Sequence, residues 1–567
     1  MPSPATVDDN DSSTTPLERI ESSGSRSQAH SHSHSYSQSH PPSRPHTHGP
    51  AHSGAAPTPG ASSSAWGLGD AHPTPSHHLS SEASTSPAES WRLDEFVTDP
   101  GYLAYQEELR CLIFNTAQTA APTREGTPEA ADGGGFAAGG FSAPATSRGD
   151  DSTARRLAGQ VLGTGRRLEY LKNYVGEVAP WLDMFDSDRA FGIQVPVLAR
   201  SSPALLYAVL ALSARQMERK EGTQTSFDSL ELYQEAIRLL TPLLQSRDQK
   251  MIPICTILCC LEMMSASAQD WRKHLEGCAA LLDSFSVHGF SGGLLQAVFW
   301  CYARMDLCGA LISDGTENTL LTPSKWLPTG ASHDEARRLF RQSGSPDMHA
   351  NYAVYLCARV CELVADKTRH FELGGARTTA TTATTATTAA DDDPAELLTT
   401  RWVRLWEDLQ AWTRERPAEL LPAQSLQSSG GGGGGSPFPQ ILFLHWAAIS
   451  SNQLYHTACA LLLGSMPRPP PGPGIRLGVA GSAVWHAKRI CGISLTNPHQ
   501  GCLNNAIQPL WVAGRLLSHR SEHALLVRLI RSIEAVTGWG TCWRIDDLEA
   551  AWGYKLRKEL RVADVVR

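Results

Sequence analysis

The stretch from Ile252 to Asp314 constrains the fold more than any other. Ile252-Pro-Ile-Cys-Thr-Ile-Leu-Cys-Cys-Leu-Glu-Met-Met is apolar on nearly every side of a helix, so it belongs inside a bundle rather than on its surface. A second helix follows, with Trp271, Leu275, Cys278, Leu282 and Phe285 in one stripe and Arg272, Lys273 and Glu276 opposite. Ser267 to Asp270 has the pattern of a capping box, which satisfies the free amide groups of a helix start. A third helix repeats the stripe with Leu294, Val298, Phe299, Met305 and Cys308. A buried helix between amphipathic ones needs further helices around it.

The rest of the chain supplies them. Residues 1–90 are rich in Ser, His, Pro and Thr and poor in large apolar side chains, so they cannot offset the entropy of ordering and are expected to be a disordered tail. That tail holds ten of the 21 histidines, including His30, His32, His34 and His40; a solvated tail is favoured over metal binding. Residues 91–158 form a linker carrying one short helix, with Tyr102, Tyr105, Leu109, Leu112 and Ile113 on one face. The folded region spans 159–565. Ser202-Pro203 opens a helix with Ser as cap and Pro in the first turn. Helices are expected at Tyr352 to Val364, Glu396 to Trp412, Phe438 to Leu463, Ala483 to Ile493, Leu503 to Leu517, Glu522 to Val536 and Ile545 to Leu560. Low-complexity insertions fall near 373–394, 424–436 and 466–474: a Thr/Ala tract, a six-glycine run and a Pro-rich break. No alternating β-branched run with hairpin turns stands out, and the class is all-α: a large irregular helical bundle with a long tail and loop insertions.

Composition excludes several functions. The net charge of −8 argues against strong intrinsic binding to nucleic acid, which needs clustered Lys and Arg against phosphates. The acidic, polar N-terminus does not read as a secretory signal, and most of the 13 cysteines sit in apolar helical stretches, so buried, reduced thiols in an intracellular protein are expected. The apolar run from Ile441 to Leu463 contains His445, Ser450, Ser451, Asn452, Gln453 and His456. That is too polar for a membrane span, and a core helix is expected.

Candidate chemistry is sparse. Gly289-Phe-Ser291-Gly-Gly matches a serine-hydrolase elbow by letter, but a helix precedes it where an elbow needs a strand; Ser291 reads better as a helix cap. His519 and His523 are four apart, without the Glu or third ligand of a zinc protease, and read as solvated residues at a helix start. Cys357 and Cys361, and the cluster Cys255, Cys259 and Cys260, read as small hydrophobes. The Trp-rich end from Gly538 to Gly553 reads as a final helix pinned by Trp539, Trp543, Leu548 and Trp552 rather than a ligand cage. No phosphate-binding Gly-Lys loop or dinucleotide fingerprint is present. The residues assign no catalytic, cofactor or metal site.

Several segments together resemble the fungal-specific transcription factor domain, the helical regulatory region that follows a binuclear zinc cluster (Zn₂Cys₆) in fungal regulators. They are Tyr174 to Phe185, Leu205 to Gln216, Asp270 to Gly277, Phe299 to Leu307, Asn497 to Trp511 and Gly538 to Gly553, spread over nearly all of residues 165–555. The segment from Glu107 to Arg124 also resembles the linker after the family's DNA-binding part. The resemblance implies a nuclear regulator of RNA polymerase II transcription that pairs as a homodimer or heterodimer and meets the transcription machinery, with no membrane partner. The zinc cluster needs six spaced cysteines, and Cys111 alone precedes residue 255, so DNA contact is expected only indirectly or through a missing N-terminal module. The alternative is a small-molecule-binding or enzymatic protein on the same scaffold, with His274, Arg304 and Asp306 as candidate polar groups of an interior site.

Overall fold

The computed structural model describes residues 99–120, 148–221, 228–265, 268–313, 315–372, 394–427, 436–467 and 477–556. The His-rich tail, the Thr/Ala tract, the glycine run, most of the Pro-rich break, Ser267 of the capping box and the Trp271 side chain lie outside the described residues.

The helices follow one another as α1 (Pro100–Ala120), α2 (Arg148–Val161), α3 (Gly165–Asn173), α4 (Ala179–Leu182), α5 (Val195–Ala199), α6 (Pro203–Glu221), α7 (Asp228–Ser246), α8 (Met251–Ser265), α9 (Ala268–Ser284) and α10 (Gly293–Ile312). After them come α11 (His333–Ser343), α12 (Pro346–Lys367), α13 (Pro394–Arg414), α14 (Trp446–Gly464), α15 (Ala483–Thr496), α16 (Gln500–Leu503), α17 (Ile507–Gly514), α18 (Arg520–Thr537) and α19 (Cys542–Trp552). The class is all-α.

Packing follows the apolar pattern. Helix α8 is buried at every position but the half-buried Met263, so it has no solvent face. Helices α6 and α7 pack along one another and onto α8; α9 covers α8, and α1 packs against both α9 and α7, with Tyr102, Leu109 and Ile113 buried. Each such large side chain withdrawn from water contributes about 1.5 to 3 kcal/mol. Helices α12, α14, α15 and α17 form a second packed group, with α13 against α12 and α14. Helix α10 joins the two groups: it touches α8 and α9 as well as α12 and α17.

Several boundaries differ from the sequence reading, among them the stretch 91–158, expected to carry one short helix, which holds the 21-residue α1 and the start of α2. Helix α14 starts at Trp446, capped by the His445 side chain, and not at Phe438. Pro437 and Pro439 cannot supply helical amide donors, and residues 440–442 instead form a strand. That strand, β2 (Gln440–Leu442), pairs antiparallel with β1 (Gln424–Leu426), Ser425 lying opposite Ile441. This places residues 424–426 in a paired strand rather than in a low-complexity insertion. The single helix expected over Leu503 to Leu517 is broken into α16, a tight turn at Asn504–Ala506, and α17. The last helix stops at Trp552 because Gly553 takes a left-handed φ of 71°.

Candidate functional site

The residues singled out by sequence are largely structural, and they do not converge. Ser291 follows a helix and a turn, not a strand, and its Oγ accepts the His288 N–H at 2.9 Å. Nor is it the cap of α10, a position that Gly292 takes with φ 80°. Gly289 is required for packing: its carbonyl accepts the Trp300 Nε1–H at 2.9 Å, and a Cβ there would meet the Trp300 ring at 2.5 Å.

His519 caps α18 and accepts the Ser521 N–H. His523, read as solvated, is buried. Its ring stacks on Trp552 at 3.8 Å, its Nε2 donates to Leu517 O and its Nδ1 accepts the Tyr554 hydroxyl at 2.5 Å. Both nitrogens are engaged, so the two histidines share no common ligand position. At the Trp-rich end Leu548 is buried, Trp539 meets Trp181 edge to face at 5.9 Å and Trp552 donates to Gly514 O. Trp543 turns outward, with the Arg544 guanidinium 4.2 Å from its ring.

The cysteines expected to pack as hydrophobes are buried. Burial pushes the Cys255 and Cys260 thiols up. A thiol–thiol hydrogen bond with Cys278, then burial, does the same for Cys259, and one with Cys361, then burial, for Cys357. These sulfurs stay protonated and weakly nucleophilic.

His274, Arg304 and Asp306 each belong to a different polar centre. Glu262 of α8 is fully buried; one carboxylate oxygen accepts the Tyr233 hydroxyl and the other lies 2.6 Å from His274 Nδ1. Arg304 donates to Leu182 O at 2.6 Å and lies over the Phe185 ring. Asp306 accepts the Leu320 and Leu321 amides and the Tyr302 hydroxyl, at 2.8 to 3.0 Å, while burial pushes its carboxyl up to about 6. Asp183 works the same way: it accepts the Phe191 and Gly192 amides, and burial pushes it up to about 7. These groups tie loops to helices. The void beside Arg304 is about 20 Å³, room for no more than a water molecule.

One centre was not read from sequence. His456 of α14 and His486 of α15 place their Nδ1 atoms 2.8 Å apart, both rings buried. His486 Nε2 faces Ala480 O at 2.9 Å, and a carbonyl only accepts, so that nitrogen carries the proton. His456 Nε2 accepts from Arg489 Nε at 3.3 Å, which leaves His456 Nδ1–H to donate to His486 Nδ1. Burial, aided by Arg489, pushes His486 down to about 4, and burial with the neighbouring His486, Arg489 and Arg416 holds His456 well below its ordinary value. The pair is a neutral, directional link between two helices. The polar residues inside an apolar run were its one sequence signal, but nothing there joined His456 to a partner thirty residues on. Among the described residues no group of three or more His, Cys, Asp or Glu side chains is arranged to hold a metal ion.

A cleft of about 380 Å³ opens where α10, α12, α14 and α17 end. Leu311, Val364, Leu461, Val512 and Leu516 give it apolar walls, and Lys367 and Arg515 bring positive charge to it.

Comparison with known proteins bears on the helices from α3 onward. The fungal specific transcription factor domain matches residues 169–553, from within α3 to the end of the last helix. The protein named transcription activator AMTR1, from Alternaria alternata, is 25% identical over 352 residues, covering 54% of this chain and 44% of that protein. The matched stretch is thus less than half of that relative's length. No solved structure matches.

Proposed function

The chain belongs to the fungal specific transcription factor domain family, and from that premise we propose that it is the regulatory and interaction region of a fungal RNA polymerase II regulator of the zinc-cluster class. Its place is the nucleus. Its partners are a second copy or another regulator, together with the transcription machinery. It reaches DNA through such a partner or through a module outside these residues, and it carries out no reaction of its own. The observation that carries this reading is the extent of the family match, which takes in both packed groups of helices apart from α1, and the α10 that joins them. The net charge of −8 agrees with indirect DNA contact. No helix among the described residues is long and apolar enough to cross a membrane.

The test is a reporter assay in fungal cells, with the chain fused to an unrelated DNA-binding domain whose site lies upstream of the reporter. A change in reporter output relative to the DNA-binding domain alone is the expected result. Unchanged output, or tight sequence-specific duplex binding by the unfused chain at moderate salt, overturns the reading. A tagged chain excluded from the nucleus overturns the placement.

A further inference from the structure

Arg416 and Arg489 meet on one face of α14. Arg416, two residues past the end of α13, donates Nη1 to Asn452 Oδ1 and Nε to Thr413 O. Arg489 of α15 donates Nε to His456 Nε2 at 3.3 Å. Asn452 and His456 are one turn apart on α14, so the two guanidinium groups lie side by side. Two cations so placed call for a group of opposite sign. Among the described residues neither pairs with a carboxylate. Glu415, next to Arg416 in the chain, is taken by Arg337 and Arg341. Burial pulls both guanidinium values down from the ordinary one, and for Arg416 the neighbouring Arg489 adds to it. An arginine keeps its charge all the same.

The bland alternative is that neutral neighbours satisfy both side chains. Arg416 lies 5.8 Å from the centre of the Trp412 ring and Arg489 4.6 Å from that of Trp485. A ring takes the flat face of a guanidinium; it leaves the in-plane N–H groups free and brings no counter-charge. Each guanidinium has five N–H donors, of which the bonds above use two on Arg416 and one on Arg489. No nitrogen of either arginine is among the sealed, partnerless polar atoms of the described residues, so the spare donors face solvent and are reachable. The carbonyl end of α13 is answered by Arg416 itself, through Thr413 O, and Arg489 stands in the N-terminal half of α15, toward the end whose partial charge favours an anion.

We propose that Arg416 and Arg489 together bind a dianionic oxyanion of the phosphate class, either free phosphate or the head of a small phosphate ester. A tetrahedral group offers oxygens to two forks arriving from different elements, whereas the two coplanar oxygens of a carboxylate are filled by one. Two negative charges also match the two cations. The oxygens take the Nη hydrogens left over, and each Nε stays on its protein acceptor.

Isothermal titration calorimetry on the purified full chain tests this at low salt and about pH 8, where phosphate is dianionic. The probes are inorganic phosphate, glycerol phosphate and acetate. The result depends on binding alone, so it can fail while the reporter assay succeeds, and the reverse. Phosphate is expected to bind, and acetate about tenfold more weakly or less. Glycerol phosphate binding at least as tightly as phosphate assigns the site to an ester head; weaker binding assigns it to the free ion. Arg416→Gln and Arg489→Gln each weaken phosphate about tenfold, the loss of charge-assisted hydrogen bonds. Arg238→Gln, which removes the same charge from an exposed pair with Glu235 on α7, leaves phosphate unchanged. Circular dichroism and urea midpoints identify any variant that fails to fold. Arg416→Lys and Arg489→Lys, which keep the charge and lose the fork, then stand in for it and weaken phosphate severalfold. No phosphate binding at millimolar concentration overturns the proposal. So does acetate binding as tightly as phosphate, or undiminished binding by the folded Arg416 and Arg489 variants.

Discussion

Helices α8 and α14 are both buried nearly all round, and they get there by opposite means. Helix α8 is apolar almost throughout and has one ionisable side chain outside its thiols, Glu262, matched to Tyr233 and His274. Helix α14 buries Ser450, Ser451, Asn452, Gln453, His456 and Thr457 in consecutive turns. Three of these, Asn452, Gln453 and His456, meet partners from other elements, whereas Thr457 donates to Gln453 O of the same helix. Asn452 donates to Leu420 O and accepts from Arg416, Gln453 donates to Ile490 O and Ser494 Oγ, and His456 meets His486. The first helix is placed by transfer out of water, which needs no particular neighbour. The second is placed by hydrogen bonds that hold only in one register, because a buried polar group without a partner costs about 1 to 3 kcal/mol.

The contrast can be tested by substitution. The largest effect is expected at the single carboxylate of α8. Glu262→Ala leaves the Tyr233 hydroxyl buried without its acceptor and His274 buried without its carboxylate neighbour, and should cost about 3 to 5 kcal/mol in urea unfolding. A loss under 1 kcal/mol would mean that α8 is held by apolar packing alone.

Next comes Asn452→Ala, which strips α14 of its links to Arg416 and Leu420 and should cost about 2 to 3 kcal/mol by the same measurement. If it costs no more than a methylene lost from α8, polar matching is not what seats α14.

The histidine pair gives a pH signature. Both folded-state values lie below the ordinary one, so the unfolded chain binds more protons as pH falls from about 6.5 toward 4, and stability declines through that window. Each such group contributes up to ~1.4 kcal/mol per pH unit. His486→Gln keeps a donor for Ala480 O and an acceptor for His456, and should remove one proton's share of that slope. An unchanged slope would place the pH response elsewhere.

The smallest effect is expected for Ile257→Val at the centre of α8, about 1 kcal/mol, the cost of one methylene in a close-packed interior.

Much of the fold was legible because hydrophobic periodicity is a local property. The α8–α9–α10 succession, the buried cysteines and the helices from Tyr352 onward stand in the residue order itself. So does the family resemblance, carried by segments such as Ala179 to Phe185 and Gly538 to Gly553. Boundaries were misread where a distant contact overrides local preference. The stretch from Phe438 to Phe443 is apolar enough to extend α14, but Thr496 at the end of α15 and Asn497 just after it accept the Ile441 and Phe443 amides and hold it extended. Gly492 permits that approach, since a Cβ there would lie 2.1 Å from Pro439 O. A place near a helix start makes His523 read as solvated, whereas Trp552, twenty-nine residues later, covers it.

Residue order alone determined that this protein is a mass of helices, which of them must be inside, and the family to which it belongs. Each of those follows from side-chain polarity repeating over a few residues, or from short segments in a set sequence. Tertiary structure decided the pairing of His456 with His486, the separation of His274, Arg304 and Asp306 into unrelated centres, and the convergence of four helix ends on one cleft. Those depend on which surfaces meet across long stretches of chain, and no local pattern carries that information.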